Sequence, residues 1–139
     1  LAYLDVFLRL GAAVLSGADI GFDREIRDKP AGLRTITLVS LGSAVFVLTA
    51  LDSGAVDASS RVIQGIVTGV GFLGAGTIIH GRTEESVRGL TTAASVWLAA
   101  AIGIACGLAH WPLVLIASVF GLLVLALEGI ESRIKAAFK

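Results

Sequence analysis

The sequence predicts an all-α membrane protein, a single polytopic bundle of five transmembrane helices, and three observations carry that prediction. Hydrophobic residues make up 55% of the 139 and the mean hydropathy is +0.89, against about 45–50% apolar residues in an ordinary soluble domain. Five apolar runs, near 3–22, 35–51, 62–79, 91–108 and 111–128, each hold roughly 17–20 residues, enough for a helix to cross a hydrocarbon core of about 30 Å. With alternate loops assigned to opposite sides, one side collects Arg24, Arg27, Lys29, Arg34, Arg82, Arg88, Arg133, Lys135 and Lys139, while the other has only Arg61. Lysine and arginine stay in cytoplasmic loops, so the N-terminus is expected outside and the C-terminus inside. So little chain remains between the runs that residues 1–139 read as one transmembrane domain. Nucleic acid is not an expected partner. The first residue is Leu rather than Met, so the native start is expected to lie upstream.

The first run carries charge. Asp5, Arg9, Ala12, Ser16, Asp19 and Asp23 step by 4, 3, 4, 3 and 4, which places them along one helix stripe. An uncompensated charge within a span costs several kcal/mol, so this stripe is expected to face protein or water, with Arg9 pairing to Asp5 one turn away. These charges also argue against a cleaved signal peptide, whose central region is uncharged. Two readings stay open: charges that lock the bundle by pairing, or an ion pathway in which Asp19 and Asp23 offer oxygen ligands to a hard cation such as Mg²⁺.

The third run contains "GVGFLGAG" at 69–76, whose first six residues have the G-x-G-x-x-G spacing of a dinucleotide cradle. That fingerprint needs a strand before it, a helix after it and an acidic residue about 20 positions on. None is present, so nucleotide binding is set aside. Gly65, Gly69 and Gly76 fall on one helix face, and Gly71 and Gly74 on roughly the opposite one. Small residues let helices approach closely in lipid, so the third span is expected at the bundle centre. The alternative is a helix that unwinds there and frees backbone groups for an ion.

The fourth run is alanine-rich, with Trp97 expected as a mid-depth filler and Cys106 as a small packing residue. The fifth, "PLVLIASVFGLLVLAL", is aliphatic nearly all round and is expected at the periphery. It and the Gly103/Gly107 pair offer surfaces for a second subunit, hence an expected homodimer. Tyr3 and Trp111 fit an interfacial aromatic belt.

"AGLRT" at 31–35 and "RGLTT" at 88–92 each open a span at an offset of 57 residues, and the same offset superposes Gly17-Ala18 on Gly74-Ala75. Spans one and two then read as a parallel hairpin repeat of spans three and four. Two helix N-termini, flanked by Arg34 and Arg88 and capped by Thr35, Thr91 or Thr92, are expected at the cytoplasmic side, where such ends favour anions. Asp23, Glu25 and Glu84 are the partners expected within the chain, and a phosphate or an acidic partner is the alternative. No nucleophile with a nearby base is visible, so an enzyme is not expected.

Taken together, "GFDRE", "AGLRT", "GVGFLGAG" and "RGLTTAASVW" resemble the MgtC/SapB family of bacterial inner-membrane proteins, in the family's order and across nearly the whole chain. The resemblance implies functional importance for Arg24, Glu25, Gly32, Arg34, Thr35, Arg61, the run from Gly71 to Gly76, Arg88, Gly89, Thr91 and Thr92. Asp23 stands where the family usually has Glu, and Asp19 where an aliphatic residue is more usual. The family is associated with magnesium homeostasis, growth under magnesium limitation and, in pathogens, virulence through survival inside macrophages. It implies a regulator acting on other inner-membrane proteins such as the ATP synthase; the alternative is a small Mg²⁺ or H⁺ transporter or channel. Many members carry a cytoplasmic domain after the fifth span.

Overall fold

The computed structural model describes residues 2–80 and 87–138. Five helices, α1 (Tyr3–Ile26), α2 (Leu33–Asp52), α3 (Ala58–Gly76), α4 (Leu90–Gly107) and α5 (Trp111–Ala137), form an all-helical bundle. A two-residue antiparallel ladder, β1 (Ile79–His80) with β2 (Val87–Arg88), precedes α4. Among the described residues three helices, α2, α4 and α5, are long and apolar enough to cross a membrane. The other two fall short for readable reasons: α1 carries six charged residues, and α3 begins with Arg61 and Gln64 and is diluted by five glycines.

Helix ends follow local chemistry. At the end of α1 the N–H groups of Asp28 and Lys29 donate to the carbonyls of Glu25 and Arg24, with Asp28 at φ +56°. That left-handed closure is one that glycine or asparagine usually fills. The same device ends α4, where Ala109 adopts φ +56° and His110 N–H reaches the Ala105 carbonyl before Pro112 starts α5. α3 stops when the Thr77 hydroxyl donates to the Gly74 carbonyl at 2.7 Å, competing with the helix for that acceptor. Gly89 then opens α4 at φ +94°, and a Cβ there would sit 2.0 Å from the Thr77 carbonyl oxygen, so only glycine fits. The N-caps of α2 and α4, Gly32 and Gly89, are 57 residues apart, the offset read from the sequence.

The central elements are α2 and α4, which run parallel. A Cβ on Gly103 would lie 2.1 Å from the Ser40 carbonyl oxygen, and one on Gly107 2.8 Å from the Val47 Cβ. α1 packs antiparallel on α2 through Gly17, against Ser40 and Thr37, and Gly21, against Leu33. Around these contacts the core is aliphatic, with Ala13, Ile20, Ile36, Val96, Ile102 and Cys106 all buried. α5 lies outside, seated by Gly121 against Leu98, with only Val114, Gly121 and Leu125 buried.

Four expectations are corrected. α3 is not central: it buries only Val70 and Gly74, and among the described residues, the backbone of α3 itself aside, nothing lies within 4 Å of a Cβ built on Gly65, Gly69, Gly71 or Gly76. Gly103 and Gly107 do not offer a face to a second subunit, because α2 already occupies it. Trp97 is 55% exposed and fills no internal space. The stripe of α1 breaks at Asp19, which is exposed, because the buried face runs through Ala13, Gly17, Ile20 and Arg24 to one side of it.

Candidate functional site

The site grows from the end of the bundle where α1 finishes and α2 and α4 begin. The final turn of α1 turns Arg24 inward, and its side chain is the largest fully buried one among the described residues. A buried guanidinium must be paired. Its Nε donates to Asp23 Oδ2 at 3.0 Å, and its Nη2 donates to Asp23 Oδ2 and, at 2.9 Å, to Glu128 Oε2 of α5. Arg27 Nε donates to the other Asp23 oxygen at 3.0 Å, and Lys29 Nζ bonds Glu128 Oε1. Five charged groups therefore form one network that clasps α5 to α1. Asp23 lies beyond the end of the expected first span. Arg24 Nη1 is buried without a hydrogen-bond partner among the described residues.

Glu25, next in sequence, points the other way and caps α2. Its Oε2 accepts the Leu33 N–H at 2.9 Å, setting a negative charge on the positive end of that helix. The carboxylate occupies the place of a side chain at Gly32, where a Cβ would fall 1.7 Å from Oε2. Gly32 and Glu25 are thus one unit. Helix α4 shows no such side-chain cap among the described residues; Thr92 in its first turn is 1% exposed with its hydroxyl unpartnered among them.

The remaining expected residues are dispersed. Arg34, Thr35, Arg88 and Thr91 are exposed, and neither Thr35 nor Thr91 caps a helix. Arg82, Glu84 and Lys139 lie outside the described residues. The cation reading of Asp19 with Asp23 does not fit this geometry. Both Asp23 oxygens accept from guanidinium groups, Asp19 faces outward, and among the described residues no group of three His, Cys, Asp or Glu could hold a metal ion. At the opposite end Arg9 does bridge to Asp5, through Nε at 3.0 Å and Nη2 at 2.9 Å, and its Nη1 donates at 2.8 Å to the Gly107 carbonyl at the end of α4.

Sequence reasoning missed Glu128, Lys29 and the role of Arg27. A signal for Glu128 existed: it is the one charged residue in an otherwise aliphatic run from Trp111 to Leu127 and its own position. A single acid at the end of such a run implies a cation on a neighbouring helix.

Comparison with known proteins places this arrangement. The chain is 44% identical over 136 residues to Protein SrpB of Synechococcus elongatus, covering 89% of this chain and 75% of that protein. It is 46% identical over 112 residues to Protein MgtC of Salmonella typhimurium, covering 81% of this chain and 47% of the relative. Protein MgtC of Brucella abortus is 51% identical over 100 residues, covering 70% and 40% respectively. The chain thus spans three quarters of the SrpB protein but less than half of these MgtC proteins. No solved structure matches it. The MgtC family model matches residues 10–132, a range that contains both Arg24 and Glu128, and with these relatives it shows that the chain belongs to the MgtC family.

Proposed function

We propose that this chain is the transmembrane part of a regulatory membrane protein that works through other membrane proteins in magnesium homeostasis, including growth under magnesium limitation and inside macrophages. All five helices span a bacterial inner membrane, with the N-terminus outside and the C-terminus cytoplasmic. Helices α1–α2 and α3–α4 act as parallel repeats, and α5 is an appended fifth span. Membership of the MgtC family supports the regulatory reading, and the matched helix starts at Leu33 and Leu90 support the repeat.

The observation that carries it is the charge network. Arg24, Asp23, Arg27, Lys29 and Glu128 pair with one another between the end of α1 and α5, with Arg24 Nη1 left without a partner among the described residues. A network bound to itself holds a shape for recognition; an ion conduit needs groups free to exchange ligands. The peripheral face of α5, with Leu115, Phe120 and Val124 exposed, supplies apolar surface for membrane partners, including the ATP synthase and a second copy of this chain.

The test is growth of a bacterium deleted for its own family member. The wild-type chain is expected to restore growth in low magnesium and to recover a membrane partner from mild detergent, and Arg24→Gln to lose both while still inserting. Magnesium or proton flux into liposomes that disappears in Asp19→Asn would replace this reading with a transporter.

A further inference from the structure

Between α2 and α3 runs a groove of about 730 Å³, within the roughly 300–1,000 Å³ of ligand pockets. Its walls are apolar, with Leu38 and Phe46 from α2 facing Val62, Ile66 and Leu73 from α3. Gly42, Gly65 and Gly69 line it without a neighbour within 4 Å of their Cβ positions, so the space exists because those side chains are missing. From Arg61 to Leu73 it extends about 18 Å at 1.5 Å per residue, close to one leaflet, half of a hydrocarbon core of about 30 Å.

The mouth differs from the trough. At Arg61 the groove joins a second hollow whose polar lining is Thr49, Ser53, Asp57 and Arg61. Arg61 is exposed and has no ion pair among the described residues. Asp57 stands one helical turn before it, so a cation and an anion border the same opening.

We propose that this groove binds a single phospholipid with a phosphoethanolamine headgroup. The acyl chains lie in the apolar trough, the phosphate meets Arg61, and the ammonium meets Asp57. Charge complementarity fixes the choice: a neutral glyceride leaves both charges unused, and a purely anionic headgroup sets its negative charge beside Asp57. The leaflet-length trough fits an acyl chain anchored at one interface. This proposal rests on α3 spanning the membrane with Arg61 at an interface.

The experiment is native mass spectrometry of the full chain, delipidated in detergent and offered equimolar phosphatidylethanolamine, phosphatidylglycerol and diacylglycerol of identical chains. The expected result is one bound phosphatidylethanolamine, with Arg61→Gln weakening retention about tenfold, since a hydrogen bond to a charged group is worth about 1.5–3 kcal/mol and each 1.4 kcal/mol is tenfold. Asp57→Asn is expected to abolish the preference over phosphatidylglycerol while keeping phospholipid bound. Gly65→Leu with Gly69→Leu is expected to empty the groove while helix content is kept, because both side chains enter open space. Equal retention of diacylglycerol, or indifference to Arg61→Gln, overturns the proposal, as does a lipid-free dimer that Gly65→Leu with Gly69→Leu converts to monomer. Labelling of Ser60→Cys by a membrane-impermeant maleimide in intact cells tests the span itself. Absent labelling there sinks the span and the proposal with it; labelling without lipid selectivity sinks the lipid site alone.

Discussion

Two sets of glycines in this bundle look alike in sequence and behave in opposite ways. Gly17, Gly21, Gly103 and Gly107 press against α2 so closely that added Cβ atoms would fall within 3 Å of its atoms. Among the described residues Gly65, Gly69, Gly71 and Gly76 of α3 meet no other element, and of its glycines only Gly74, at 3.5 Å from the Ala93 carbonyl oxygen, touches one. What lies opposite makes the difference. The first set faces backbone at Leu33, Thr37, Ser40 and Ala44 and the Cβ-branched side chain of Val47, none of which reaches far enough from its helix to keep the two apart. The groove-lining glycines share their hollow with Leu38 and Phe46 of α2, large side chains where the first set meets backbone at Ser40 and Leu33. A glycine licenses close approach, but the residue across from it decides whether the approach happens.

The comparison breaks most sharply at Gly103. Gly103→Ala places a methyl 2.1 Å from the Ser40 carbonyl oxygen, and neither backbone can yield without separating the two central helices. Overpacking usually costs about 1–3 kcal/mol, and this backbone collision belongs at or above the upper end. Unfolding in detergent, followed by helical circular dichroism, is expected to show a loss of about 3 kcal/mol or failure to accumulate. Wild-type stability would mean that α2 and α4 are not in the contact described.

Much of this architecture was legible beforehand. The expected starts at 35 and 91 lie within two residues of Leu33 and Leu90, because G-L-x-T marks both N-termini. Hydropathy placed the fifth apolar run at 111–128, whereas helix α5 continues to Ala137. That last stretch is polar and exposed, and hydropathy detects a span rather than a helix. The Arg24–Glu128 contact joins residues 104 apart, a separation at which local periodicity carries no information. The α1 stripe misled at Asp19 because its direction could be read but not which side of it met α2. The glycines of α3 misled for the reason already given: they showed what could pack, not what did.

An intermediate effect is expected at Gly32, where the obstacle is a movable side chain. Gly32→Ala displaces the Glu25 carboxylate that would lie 1.7 Å from the new Cβ, and so uncaps α2. Loss of an N-terminal cap costs about 1 kcal/mol. Glu25→Ala should cost a similar amount, and the two together little more than either, since both remove the same hydrogen bond. Additive losses would show that Glu25 and Gly32 act separately.

The smallest effect reverses sign. At Gly69 a Cβ meets nothing within 4 Å, so Gly69→Ala adds no collision and removes the flexible residue from a helix interior. Alanine is favoured there by about 0.8–1 kcal/mol in host peptides, and a gain of about 0.5–1 kcal/mol is expected in the same detergent unfolding. One methyl narrows the groove without filling it, so the variant should still hold lipid where Gly65→Leu with Gly69→Leu does not. A loss instead of a gain would mean that another surface, such as a second copy of the chain, already presses on Gly69. The α3 glycines would then be packing residues after all, and the contrast with Gly103 would reduce to which chain supplies the opposing helix.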